Sequence, residues 1–206
     1  MNKQEIKEFL HNLEQTATKN MIVIDFGNVD KWKDSLGWTV GIKELGQLTK
    51  HLSRGAKYLR RFYYGEDYGP ITTSAILTPW SDMVLNKAKM AGFEVVSKRV
   101  KYIPDSKYEG GFMAKCDLDL EMALDLLKDR EKYDNLILFS GDGDFYCLLE
   151  YLKSVFDKAI YIFGARNHVG AELYDAHQKG TIKEIFYAED FEYRLKYNLS
   201  RYPQVK

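Results

Sequence analysis

Short apolar runs alternate with amphipathic stretches along most of the chain. MIVIDF at 21–26, AKYLRRFYY at 56–64, FEVVSKRV at 93–100, NLILFS at 135–140, AIYIFG at 159–164 and TIKEIFY at 181–187 read as strands. Helical spacing fills the gaps between them, first from about Ile42 to Ser53. AILTPWSDMVLNKAKMAG at 75–92 reads as a helix that Pro79 disturbs in its first half and Gly92 closes. DLDLEMALDLLKDR at 117–130 follows, with Leu120, Ala123, Leu124 and Leu127 as its core-facing stripe, and then DFYCLLEYLKS at 144–154 and GAELYDAHQKG at 170–180. The polar, glycine-containing stretch KYIPDSKYEGGFMAK at 101–115 reads as a surface loop.

Strands apolar on both faces, each followed by a helix, predict an α/β chain: a three-layer α/β/α sandwich with a central, mainly parallel sheet. Ile6, Phe9, Leu10 and Leu13 add an amphipathic N-terminal helix. The organisation expected is therefore an N-terminal helix at 1–19, one α/β domain at 20–188 and a C-terminal helical extension at 189–206. In such sheets ligands collect at the carboxyl ends of the strands, where strand order reverses.

Composition narrows the function. Hydrophobic residues make up 45% of the chain and aromatics 14%, enough for one core of its own. Lys+Arg 30 balance Asp+Glu 30, so a nucleic-acid site has to be a local basic patch and not a global field. Cys116 and Cys147 form no C-x-x-C pair, which fits free thiols in the cytoplasm better than a disulfide or zinc site. No apolar run approaches the roughly 20 residues of a membrane span, and no signal peptide is recognisable, so no membrane partner is expected.

The candidate chemistry is acidic. Asp25 ends the first strand, and Asp142 and Asp144 stand in SGDGDF just after NLILFS, on the same predicted sheet edge. Asp117 and Asp119 open the helix leading into that strand, either of them able to lean toward the edge. Carboxylates gathered there repel unless a cation or a hydrogen-bond network compensates, and an oxygen-only donor set suits Mg²⁺ or Mn²⁺. Such cations activate water and stabilise phosphoryl displacement. No Walker loop, G-x-G-x-x-G or serine-nucleophile motif is present. An aspartyl-phosphate phosphohydrolase would use Asp25 as nucleophile, but its usual second Asp two residues on is Gly27 here.

VIDFGNV at 23–29, KCDLDLEMALD at 115–125, LILFSGDGDFYCLLEYL at 136–152 and IFGARNHVGAEL at 162–173 together resemble the NYN domains, also called LabA-like or DUF88 proteins, over roughly residues 20 to 187. The resemblance implies the PIN-like (Rossmann-like) nuclease fold and a Mg²⁺- or Mn²⁺-dependent ribonuclease site. It makes Asp25, Asp119, Asp142 and Asp144 the metal ligands and Asn28 a companion that orients Asp25 or the substrate. Asp117 competes with Asp119 for the register, with Asp119 preferred and Asp117 left as an accessory. The family's Ser-x-x-Leu and following Ala-Asp are replaced by Gly170, Leu173 and Ala176-His177, so a hydroxyl and an accessory carboxylate are missing. His177 is then either a proton-transfer group or a packing histidine.

The partner implied is RNA, single-stranded or structured. Arg61, Lys98, Arg99, Lys101 and Lys115, with Arg60 and Lys107, are interleaved with Tyr63, Tyr64, Tyr102 and Tyr108, the ingredients of a phosphate-neutralising, base-stacking groove. A solvated loop beside a core strand has the same composition. Trp32, Trp38 and Trp80 suit a lid or an oligomer contact, the latter pointing to a homodimer. Beside the ribonuclease stand two alternatives, an RNA-binding regulatory module with a weak site and a small-molecule phosphohydrolase.

Overall fold

The computed structural model describes residues 19–53, 58–70, 74–107 and 109–197, together with residues 4, 5, 7, 8 and 11. Most of the expected N-terminal helix, the end of the C-terminal extension and Tyr108 lie outside the described residues. Six parallel strands form the central sheet: β1 (Asn20–Asp25), β2 (Tyr58–Glu66), β3 (Glu94–Arg99), β6 (Asn135–Phe139), β7 (Ala159–Gly164) and β8 (Glu184–Tyr187), in the order β3-β2-β1-β6-β7-β8. β4 (Lys101–Pro104) and β5 (Phe112–Lys115) form a separate antiparallel pair. The helices are α1 (Phe26–Lys31), α2 (Lys33–Leu36), α3 (Ile42–Leu52), α4 (Pro79–Met90), α5 (Asp119–Lys128), α6 (Tyr146–Phe156), α7 (Ala171–Gln178) and α8 (Glu192–Leu195).

Period-two alternation divides each strand between two cores. Ile22 and Ile24 join Phe62, Phe139 and Phe163 on the side covered by α1, α3 and α4, where Leu45, Leu48 and Val84 meet them. Met21 and Val23 join Leu136, Leu138 and Ile162 on the other side, under Met122 and Leu126 of α5, Leu149 and Leu152 of α6 and Leu173 of α7. The three-layer α/β/α expectation therefore holds. Strand order reverses between β1 and β6, which are hydrogen-bonded neighbours, so the ends of these two strands flank the switch point.

Four local readings change. The stretch 101–115 is a hairpin with Tyr102 opposite Ala114 and Pro104 opposite Phe112, not an open loop. Pro79 does not break a helix but begins one, at a position where its missing N–H costs nothing, with Thr78 as N-cap. Trp32 is completely buried and donates its indole N–H to Asn28 Oδ1 at 2.8 Å, so it is neither lid nor oligomer contact. The segment expected as an appended helix holds a single turn of 3-10 helix and the four-residue α8, and its Phe191 and Leu195 are fully buried in the first core.

The apolar stripe of α5 is also rotated from its expected face. Leu118, Met122 and Leu126 are buried, whereas Leu120 and Leu124 are 66% and 57% exposed. Leu126→Ala should therefore cost roughly 2–5 kcal/mol of stability, and Leu124→Ala less than about 0.5 kcal/mol. Urea unfolding of the two variants measures the difference; equal losses would contradict the assigned face.

Candidate metal centre

The alternation that sends Met21 and Val23 toward α5 sends Asp25 the same way, at the last position of β1. Its carboxylate is held from two directions. Oδ2 accepts a hydrogen bond from Ser140 Oγ at 2.9 Å and Oδ1 one from the backbone N–H of Asn28 at 3.2 Å. Burial, and secondarily Asp142, raise the pKa of Asp25, while the two hydrogen bonds and Lys31 pull against that rise.

Asn28 stitches the two strand ends together. Its Oδ1 accepts from the buried Trp32 indole and from the backbone N–H of Gly141 at 3.0 Å, fixing the loop after β6 against the start of α1. The side chain thus acts on the protein's own backbone, the role the sequence left open between Asp25 and the substrate. Ser140, fully buried, does the same work from the other side: it donates to Asp25 and accepts from the N–H of Asp142 at 3.2 Å. Sequence reasoning passed over Ser140, although its place immediately before the acidic turn was the available signal.

The turn itself is built on close approach. A side chain at Gly141 would run into the carbonyl of His168, and one at Gly143 into the carboxylate of Glu172. The Gly141 carbonyl in turn accepts from the N–H of Gly170 at 2.8 Å. Gly170, where the family has a hydroxyl, therefore lies against the acidic turn, and Glu172 is the acid on this side. His177 places Nδ1 3.0 Å from the carbonyl of Ile182, a packing partner and not a proton-transfer geometry.

Asp119, Asp142 and Asp144 each offer one carboxylate oxygen, and these oxygens all lie within 4.8 Å of one another. Asp25 and Asp142 both act on Asp119 through their charge, and all three line one cleft of about 640 Å³. Asp117 is exposed and serves the backbone, accepting the N–H of Asp119 on Oδ1 at 3.2 Å and Lys98 Nζ on its carbonyl at 2.6 Å. Burial first, then Asp117, Asp25 and Asp142, push Asp119 up to about 7. Oxygen donors that crowd one another this closely suit a hard divalent cation.

The basic groove fares differently. Arg61 is 8% exposed and pairs with Glu94 at 3.0 Å and with Asp129, so it is a structural ion pair and not an RNA contact. Burial at the inner face of β2 explains why: an unpaired guanidinium there would be prohibitively desolvated. Arg60 is spent on the carbonyls of Gly46 and Gly92. Tyr63 is buried and donates to Asp125 at 2.9 Å, and Tyr64 is buried but touches the cleft wall. Lys98 is held by Glu121 at 2.6 Å, and Arg99 by the carbonyl of Ser74 over the Tyr68 ring. Lys115 lines the cleft, with Lys101 opposite it in the hairpin register. Lys31, Asp30, Asp67 and Trp80 line the cleft as well and were not foreseen there.

The NYN domain profile matches residues 19–184. "Low amplitude and bright protein LabA" of Synechococcus elongatus is 35% identical over 63 residues, a match that covers 31% of this chain and 34% of LabA. The crystal structure of a protein of unknown function from Vibrio parahaemolyticus superimposes with a TM-score of 0.63 at 19% identity, over 84% of this chain and 94% of that one.

A carboxylate whose pKa is raised on folding binds its proton more tightly in the folded than in the unfolded chain. Its contribution to stability is present at low pH and is lost as pH rises from the unfolded value near 4 through the folded value near 7. Asp119→Asn should therefore raise the Tm of the chelator-treated protein above pH 7 by roughly 2–4 °C, with little effect at pH 4. Thermal melts across that range check it; a Tm lowered at pH 8 would contradict the assignment.

Proposed function

The chain belongs to the NYN domain family, and from that premise we propose that it is a metal-dependent ribonuclease, hydrolysing RNA phosphodiester bonds at the cleft lined by Asp25, Asp119 and Asp142, with Asp144 close to the last two. The observation that carries this reading is the set of three carboxylate oxygens within 4.8 Å, with Asp119 raised to about 7 by burial first and by the neighbouring acids after it. Side chains that destabilise one another in this way are retained where something positive is to be held.

Asp119, Asp142 and Asp144 would hold a Mg²⁺ or Mn²⁺ ion, with Asp25 beside them. When bound, such an ion supplies charge that lowers the pKa of water and offsets the charge of a phosphate in displacement. The protein's own groups set the stage. Ser140 and the Asn28 N–H fix the Asp25 carboxylate so that it cannot rotate away from Asp119. Asn28 fixes the Gly141 backbone and with it the position of Asp142. Lys31 and Lys115, on the cleft wall, attract the flanking phosphates that the acids would otherwise repel. Free Cys116 and Cys147 are consistent with a reducing compartment, the cytoplasm, as the setting of this activity. No described helix is long and apolar enough to cross a membrane.

Incubating labelled RNA with the protein in Mg²⁺ or Mn²⁺, beside Asp142→Asn and a chelator control, tests the proposal. Cleavage by the wild type should fall by about 100-fold or more in the variant and vanish with chelator, while the variant's Tm stays within a few degrees. Equal cleavage by both proteins, or turnover of a generic phosphomonoester in preference to RNA, would contradict it.

A further inference from the structure

Trp80 lines the acidic cleft without a part in the machinery described above. It is 52% exposed, whereas Trp32 is buried. The backbone that carries it is fixed. Pro79 and Trp80 open α4, Thr78 Oγ1 caps the helix by accepting the Ser81 N–H at 3.3 Å, and the Thr78 N–H donates to the Asp67 carbonyl at 2.8 Å. From the opposite direction the Asp67 N–H donates to the buried Ser81 Oγ at 3.0 Å. The indole is thus presented to the cleft by an anchored turn, not left exposed by a loose one.

Asp67 also ties in the hairpin. Its Oδ1 accepts the Tyr102 hydroxyl at 2.6 Å, and Tyr102 meets Phe112 edge-on at 6.4 Å between ring centres. Phe112 is 40% exposed. Asp67 therefore holds the helix start that bears Trp80, through its backbone, and the hairpin that bears Tyr102 and Phe112, through its carboxylate, in fixed relation, with Lys115 of the same hairpin in the cleft. An exposed indole, lysines for phosphate and an acidic floor are the components of a site for a nucleotide strand whose bases are free to stack. A base inside a duplex already has both faces covered by its neighbours and offers neither to an indole.

We infer that Trp80 is a base-stacking residue that selects unpaired nucleotides for the adjoining acidic site. The chemistry it would serve rests on the ribonuclease reading, but the stacking can be measured without turnover.

The test uses the full chain in the Asp142→Asn background, in Mg²⁺, with three probes. These are a short single-stranded oligoribonucleotide, the same strand carrying one abasic nucleotide at each position in turn, and its duplex. The parent background should prefer the single strand to the duplex and lose affinity at one abasic position. Adding Trp80→Ala should weaken single-strand binding by roughly 10-fold and erase the penalty at that position, and Trp80→Phe should restore most of both. Unchanged binding by Trp80→Ala, an abasic penalty that persists in it, or absence of binding by the parent would overturn the inference. Cleavage kinetics separate the two claims: Trp80-dependent binding with an inactive wild type defeats the ribonuclease reading alone, and full cleavage of single strands by Trp80→Ala with Asp142 intact defeats the stacking role alone.

Discussion

Repulsion among carboxylates at the ends of two adjacent strands is the interaction around which the rest of this structure is arranged. Asp25 leaves β1 and Asp142 leaves the loop after β6, and parallel pairing of these strands makes their ends neighbours. α5 then brings Asp119 to the same place, with Asp119 held up at about 7. Left to local preference these side chains would separate. They do not because each is tied to a rigid backbone: Asp25 by Ser140 and Asn28, the β6 turn by Asn28 and by contact of Gly141 with His168. The two buried cores on either side of the sheet supply the stiffness that makes those ties effective.

On the proposed reading, that arrangement is how a chain with no net charge would take a polyanion. Asp25, Asp30, Asp67, Asp117, Asp119 and Asp142 line the cleft, against Lys31 and Lys115. With every acid ionised and no cation bound its field opposes phosphate, so affinity for a nucleic acid would rise when a metal, or the loss of one carboxylate, lowers that charge, and would not rest on a broad basic surface. Arg61, which sequence spacing offered as a phosphate contact, is occupied in holding β2 to Glu94 and Asp129. The aromatic rim formed by Trp80 and the hairpin would supply the sequence-independent contacts that charge alone does not.

Much of the architecture was legible because buried parallel strands are continuous apolar runs. MIVID, NLILF and AIYIFG each lie in the sheet as read, and Asp25 at the end of the first and Asp142 after the second fall on the edge that topology requires. Misreadings arose where two patterns were superimposed. α5 is apolar on both faces, so a stripe through Leu120 and Leu124 looked as good as the buried one through Leu118, Met122 and Leu126. The hairpin strands are only four residues long and carry Lys, Pro and Gly nearby, which hides pairing from any periodicity test. The partners of Ser140 and Asn28 were hidden for another reason: these contacts join residues more than a hundred positions apart. Arg61 was misread because a positive charge in sequence does not reveal whether a buried carboxylate already claims it, whereas Lys115 does line the cleft.

The central claim is that this acidic constellation is compensated by a divalent cation. Its most direct test is a calorimetric titration of the chelator-treated protein with Mn²⁺ near pH 6.5, in two buffers of different ionisation enthalpy. Saturable binding accompanied by release of a proton is the predicted result, because Asp119 with a pKa of about 7 is largely protonated there and must ionise to become a ligand. Binding that never saturates, or that proceeds with no proton released, would contradict the account.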